Sequence, residues 1–292
     1  MCSRTKLCGM GRLQSVQRYR CDVPKDGMHR RMFPYLQSLL LRPVLEFFYL
    51  TIRSSMHVTC GAAILLIWFY PAMHTAGKLC CAGTGIAGAV EDTSVEELEA
   101  QLRVNLYAVQ RMLALVLPVM RDQRSGKIIL IGSVAAVYAI PYQGMYSVSK
   151  FALEGLCGAL RNEVRPFGIR CCTVLPGDTR TAFTGSRGYT KRTAENEAYR
   201  DAFCRAVHSM VKSELNGKEP VTVARAVAKA LKRRNPPPRI VVGWEYKLLC
   251  SAGRLLPNRL ISWALYRMYC KSRCKGSALW SFERDVQGKN ND

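Results

Sequence analysis

Ser133-Val-Ala-Ala-Val-Tyr-Ala-Ile-Pro-Tyr-Gln-Gly-Met-Tyr146-Ser-Val-Ser-Lys150 is the stretch that decides how this chain folds and what chemistry it can do. It is preceded by Lys127-Ile-Ile-Leu-Ile-Gly-Ser133, an apolar run of strand type that ends on a serine. Thirteen residues after that serine a tyrosine opens a helical pattern, with a lysine at i+4. Residues four apart share a helix face, so Lys150 is expected one turn from Tyr146 on the same side. A nearby ammonium favours the tyrosinate, and the expectation is a Tyr146 pKa moved from about 10 toward neutrality. Such a phenol can give a proton to a ketone oxygen or take one from an alcohol. Ser133, at the end of the neighbouring strand, is placed to hydrogen-bond the same oxygen.

The flanking sequence supports one architecture. Ser94-Val-Glu-Glu97 is a capping box, followed by apolar positions at Leu98, Leu102, Leu106, Val109 and Leu113 that reach to about Met120. Arg121–Gly126 is a polar turn. The helix opened by Tyr146 is expected to bury Phe151, Leu156 and Leu160, and Arg170–Leu175 reads as a strand. Val221–Arg234 reads as a helix that stops before Pro236-Pro-Pro238, and Arg239–Val242 as a last strand. Alternating strands and helices of these lengths give an α/β fold with a parallel sheet covered on both faces.

These residues resemble the active site of the short-chain dehydrogenase/reductase superfamily, over roughly Cys80 to Val242. The resemblance implies a Rossmann-like, doubly wound parallel sheet. It further implies that Tyr146 is the acid/base, that Lys150 lowers its pKa and binds the nicotinamide ribose, and that Ser133 orients the substrate oxygen. Asn105, in Val104-Asn-Leu-Tyr-Ala-Val109, matches the asparagine that supports the proton relay. Pro176-Gly177 matches the turn that abuts the nicotinamide, and Thr181 a threonine that contacts the cofactor. Ala82 and Gly83 stand at the adenosine-side loop, where Cys80-Cys81-Ala82-Gly83 replaces the family's Asn-Asn-Ala-Gly. Gly83-Thr-Gly85-Ile-Ala-Gly88 spells a dinucleotide motif, yet it occupies this later position and is not read as a phosphate loop. The implied cofactor is NAD or NADP, with NADP the first choice. The implied partners are a small alcohol or carbonyl substrate and further copies of the chain in a homodimer or homotetramer.

The chain of 292 residues carries a formal charge of +22, unevenly spread. Residues 1–79 hold 11 Lys and Arg against 3 Asp and Glu, 80–180 hold 10 against 9, and 181–292 hold 22 against 9. The catalytic middle is thus neutral and both ends are basic. No zinc-finger, basic-zipper or aromatic RNA-binding pattern accompanies the charge, so it is read as solvated surface, not as a nucleic-acid site. The 13 cysteines include no C-x-x-C, and the 4 histidines show no ligand spacing. Reduced thiols in a cytoplasmic setting, with no metal, is the reading that follows.

The two ends raise separate questions. Residues 1–79 should hold the first βαβ unit and its glycine loop, and no such loop is found: Gly9-Met-Gly11 is too short, and Cys21-Asp22-Val23 lies too far from Cys80. This segment is therefore expected to be atypical and cofactor binding to be impaired. Ser54–Gly77 lacks Lys, Arg, Asp and Glu over 24 residues, but its histidines, hydroxyl residues and Pro71 make it a poor membrane span. Pro176–Val221 reads either as a substrate lid or as plain surface helices. Residues 244–292 form a basic, apolar extension in which Trp244–Cys274 is patterned to lie on a membrane or to pack over the substrate pocket. Two functions remain: a dehydrogenase/reductase acting on a lipophilic steroid, retinoid or acyl substrate, and a non-catalytic relative that holds cofactor poorly and associates with membranes.

Overall fold

The structure, a computed structural model, describes residues 77–81, 83–253 and 255–271. The expectations for the glycine loop, for Ser54–Ala76 and for Ala82 fall outside these residues. Four strands, β1 (Gly77–Cys80), β3 (Gly126–Ile131), β4 (Ile169–Pro176) and β6 (Arg239–Val242), form a parallel sheet in the order β1-β3-β4-β6. Two-residue strands β2 (Ile86–Ala87) and β5 (Gly188–Tyr189) pair separately, also in parallel.

Both faces of the sheet are covered, which is why its strands read as unbroken apolar runs. Side chains alternate along a strand. Ile128 and Leu130 therefore join Val109, Leu113 and Met120 of α2 (Ala108–Asp122) and Leu153, Cys157 and Leu160 of α3 (Gly144–Glu163). Ile129, between them, faces Val223 and Val227 of α5 (Pro220–Lys232) on the other side. The predicted capping box starts α1 (Val95–Leu102): Glu97 N donates to Ser94 Oγ at 3.2 Å and Ser94 N to Glu97 Oε2 at 2.9 Å. One expected core position is corrected. Phe151 is 44% exposed, because it lies about 100° around α3 from Lys150 and turns away from the sheet that Leu153, Cys157 and Leu160 face.

The stretch after β4 carries β5 and α4 (Glu197–Leu215), whose Phe203 and Val207 are buried with Ala87 and flanked by Tyr142 and Tyr189. Beyond β6 come α6 (Trp244–Ala252), α7 (Asn258–Leu265) and a π-helical turn, Tyr266–Cys270. The C-terminal pattern thus forms two short helices, parted near Pro257.

Candidate active site

The carboxyl ends of β1, β3 and β4 point to one edge of the sheet, where open α/β sheets bind their ligands. Lys150 and Asn105 are buried there, and Tyr146 is half-buried. Asn105 lies in a π-helical turn, Arg103–Tyr107, between α1 and α2. Such one-turn bulges recur at functional sites because they re-aim one side chain. Here the Asn105 amide donates to Thr84 O at 3.0 Å and to Ser149 Oγ at 2.9 Å, and its oxygen accepts from Thr84 N at 2.8 Å. Ser149 in turn donates to Tyr146 O at 2.7 Å, so Asn105 is tied to the turn of α3 that carries the tyrosine. Ser133 caps a short 3₁₀ turn by accepting from Ala135 N at 3.1 Å and lies near enough to the Tyr146 phenol to act on its ionisation.

The electrostatics differ from the sequence expectation. Lys150 Nζ donates to Ile131 O at 3.1 Å and stands 5.6 Å from the Tyr146 ring centroid. Burial pushes the phenol up to about 12; the Ser133 hydroxyl and the Arg187 guanidinium oppose this, and the Glu214 carboxylate adds to it. The same burial pulls the Lys150 ammonium down to about 8. Dehydration outweighs the lysine's attraction because the ammonium is engaged with a backbone carbonyl rather than with the phenol oxygen. Tyr146 is consequently a protonated phenol at neutral pH.

Pro176 ends β4 in register with Val242, and Gly177 follows it. A Cβ on Gly177 would stand 2.2 Å from the Tyr246 ring, so only glycine lets α6 approach here. Tyr246 donates to Asp178 Oδ2 at 2.7 Å and accepts from Asp178 N at 3.0 Å. Thr181 Oγ1 accepts from Phe183 N at 3.2 Å, at the start of the stretch between β4 and α5. Gly83 lies against Lys150 and Asn105, and a Cβ there would be 3.4 Å from Lys150 Nζ. The glycines that follow make room for the stretch after β4: a Cβ on Gly85 would strike Phe183 at 2.6 Å and one on Gly88 would strike Thr190 at 2.2 Å.

Four contributors had no place in the sequence reading. Gln101 donates to Thr84 O at 2.8 Å and accepts from Ile86 N at 2.9 Å, bracing the loop that Asn105 also holds. Its position, one helical turn before Asn105, was the available signal. Ser149 lies within the motif itself. Arg187 and Glu214 form a buried ion pair supported by Thr184 Oγ1, which donates to Glu214 Oε2 at 2.7 Å. The Arg187 guanidinium lies 5.9 Å over the Phe183 ring, whose centroid is 5.6 Å from that of Tyr146.

The nicotinamide end of a dinucleotide fits this edge: Lys150 offers N–H donors, Gly83 leaves room beside them, and Pro176-Gly177 supplies a turn at the strand end. Ala82 and the residues that would hold the adenosine half are outside the described residues. Among the described residues no group of His, Cys, Asp and Glu is arranged to hold a metal ion.

Residues 79–192 match the family model described as short chain dehydrogenase. The 3-ketodihydrosphingosine reductase of Bacteroides thetaiotaomicron is 43% identical over 189 residues, 64% of this chain and 70% of that protein. A probable short-chain type dehydrogenase/reductase of Helicobacter pylori is 30% identical over 202 residues, 66% of this chain and 70% of that protein. A short-chain dehydrogenase structure from Streptomyces avermitilis superposes with a TM-score of 0.57 at 25% identity, covering 78% of this chain and 76% of that one. This chain belongs to the short-chain dehydrogenase/reductase superfamily, a family of oxidoreductases built on a Rossmann-like parallel sheet.

Proposed function

We propose that the protein interconverts an alcohol and a carbonyl compound with NAD or NADP, and that Tyr146 moves the proton. The convergence of Ser133, Tyr146, Lys150 and Asn105 at the carboxyl ends of the parallel strands carries this reading. When bound, the nicotinamide supplies or accepts the hydride at the substrate carbon. Ser133 and Tyr146 hold the substrate oxygen between two hydroxyls, and the Tyr146 O–H bond breaks as the oxygen takes its proton in reduction. Lys150 holds the ribose end, and Asn105 fixes the turn of α3 that carries the tyrosine. A lipophilic substrate is favoured by the aromatic lid over Tyr146 and by a relative whose name gives a sphingoid ketone as its substrate. A second copy of the chain is proposed to cover the outer side of α2 and α3, where Leu115, Val119 and Phe151 are exposed.

The absence of a recognisable glycine loop before Cys80 favours a second reading, a relative that binds cofactor poorly. Calorimetry of the full chain with NADH and NADPH at physiological ionic strength separates the two. Micromolar binding with turnover of a long-chain ketone would establish the first reading and overturn the expectation of impaired cofactor binding. No heat at millimolar cofactor would replace the dehydrogenase reading with the second one.

A further inference from the structure

We propose that the outer face of Trp244–Lys271 docks this protein on anionic phospholipid bilayers. The inner face of this segment is engaged with the site. Tyr246 packs on Gly177, Leu249 O accepts from Tyr138 Oη at 2.6 Å, and Cys270 O accepts from Arg205 Nε of α4 at 3.0 Å. The outer face has no such engagement. Trp244 and Leu248, one turn apart on α6, are 73% and 65% exposed, Leu255 in the connection 87%, and Trp263 on α7 60%. Single exposed apolar residues are ordinary, but several large ones within one short run of chain mark an interaction surface.

Charge selects the partner. Within Trp244–Lys271 the chain has five Lys and Arg and one acidic residue, Glu245, which is paired with Lys218. Two of these cations lie beside the exposed rings: Arg267 is 5.5 Å from the Trp263 centroid, and Lys271 is 5.5 Å from that of Tyr266. Apolar and aromatic side chains rimmed by cations suit the headgroup boundary of an anionic leaflet. A second copy of the chain does not suit this face. Two-fold pairing brings a patch against itself, and here that would oppose cation to cation. Docking by this face would let a lipophilic substrate reach the protein from the bilayer. That consequence rests on the proposed function; the docking itself does not.

The test is flotation of the full-length protein with phosphatidylcholine vesicles, with and without a quarter phosphatidylserine, across a range of salt. Binding to the anionic vesicles alone, weakening as salt rises, is the expected result. Leu255→Glu/Trp263→Glu should lower the partition at least tenfold. Arg259→Ala/Arg267→Ala should lower it about fivefold per cation removed. Equal flotation of both variants and the unmodified protein would overturn the proposal, since another segment would then be the anchor. So would flotation indifferent to phosphatidylserine, or an oligomer dissociated by Leu255→Glu/Trp263→Glu with no vesicle binding to lose. The salt titration needs no substitution, so binding that does not fall with salt overturns the proposal even if a variant fails to fold. None of these readouts involves turnover, so a failed cofactor titration would leave this result standing.

Discussion

Two layers enclose Tyr146, and they treat buried polar groups differently. On the sheet side, Gln101, Asn105, Ser149 and Lys150 are all buried, and each is hydrogen-bonded to a neighbouring loop, strand or helix turn. On the lid side, Arg187 is fully buried opposite Glu214, yet its Nε and Nη1 have no partner. A satisfied network fixes one geometry, whereas an incompletely paired buried charge is retained at a cost. The contrast teaches where rigidity and adaptability are divided in this site. The groups proposed to handle the proton are fully hydrogen-bonded, and the facing wall, though packed through Phe203 and Val207, keeps a buried charge that its ion pair only partly satisfies.

The largest expected effect belongs to the residue between the two layers. Tyr146→Phe removes the phenol proton donor and keeps the ring that packs against Phe183. Turnover should fall by about 10² to 10⁴, the range of a positioned acid/base group, with the unfolding midpoint little changed. A variant that turns over at a near-normal rate would reduce Tyr146 to a packing residue and remove the basis of the comparison.

Next in size is a test of the lid side. Glu214→Gln removes the carboxylate that pairs with the buried Arg187 guanidinium, leaving only the weaker influence of Asp178, and should cost about 3 kcal/mol in urea unfolding. The exposed pair Arg180–Glu219 is the internal control, because its side chains are 58% and 49% exposed. Glu219→Gln should cost less than about 1 kcal/mol. Similar losses from the two substitutions would mean that burial does not set the strength of the lid pair.

How much of this was legible in the sequence follows the same division. The strands were readable because a strand buried on both faces must be apolar at every position, as in Ile128-Ile-Leu-Ile131, and α1 was readable from its capping box. Ser133, Tyr146 and Lys150 were readable because helix spacing fixes the last two relative to each other, whatever surrounds them. The exposure of Phe151 was not, since an apolar residue one position from a buried lysine carries no mark of which way it turns. Arg187 and Glu214 are 27 residues apart, and only the packing of the lid brings them together. The elevated Tyr146 pKa was also hidden. An i+4 lysine states that a charge is near, but not how much water both groups lose nor which oxygen the ammonium chooses.

The smallest effect tests the electrostatics of the sheet side. Lys150 titrates at about 8 in the folded chain, lowered from 10.5 by burial. Between these values the unfolded chain holds a proton that the folded chain has released, so this group's contribution to stability rises with pH. That contribution is complete above the unfolded value and is lost as pH falls through about 8. Other groups pull the opposite way: Cys80 and Cys172, raised by burial to about 12, stay protonated in the fold while their unfolded counterparts ionise. The measurement is therefore a difference between the unmodified protein and Lys150→Met, in which those thiols cancel. From pH 7.5 to 9 the unmodified protein should gain about 1 kcal/mol of unfolding free energy relative to the variant. A flat difference would mean that Lys150 keeps its proton throughout, held by more than the Ile131 carbonyl. A falling difference would mean that its folded pKa lies above the unfolded value, and the burial assigned to it on the sheet side would then be wrong.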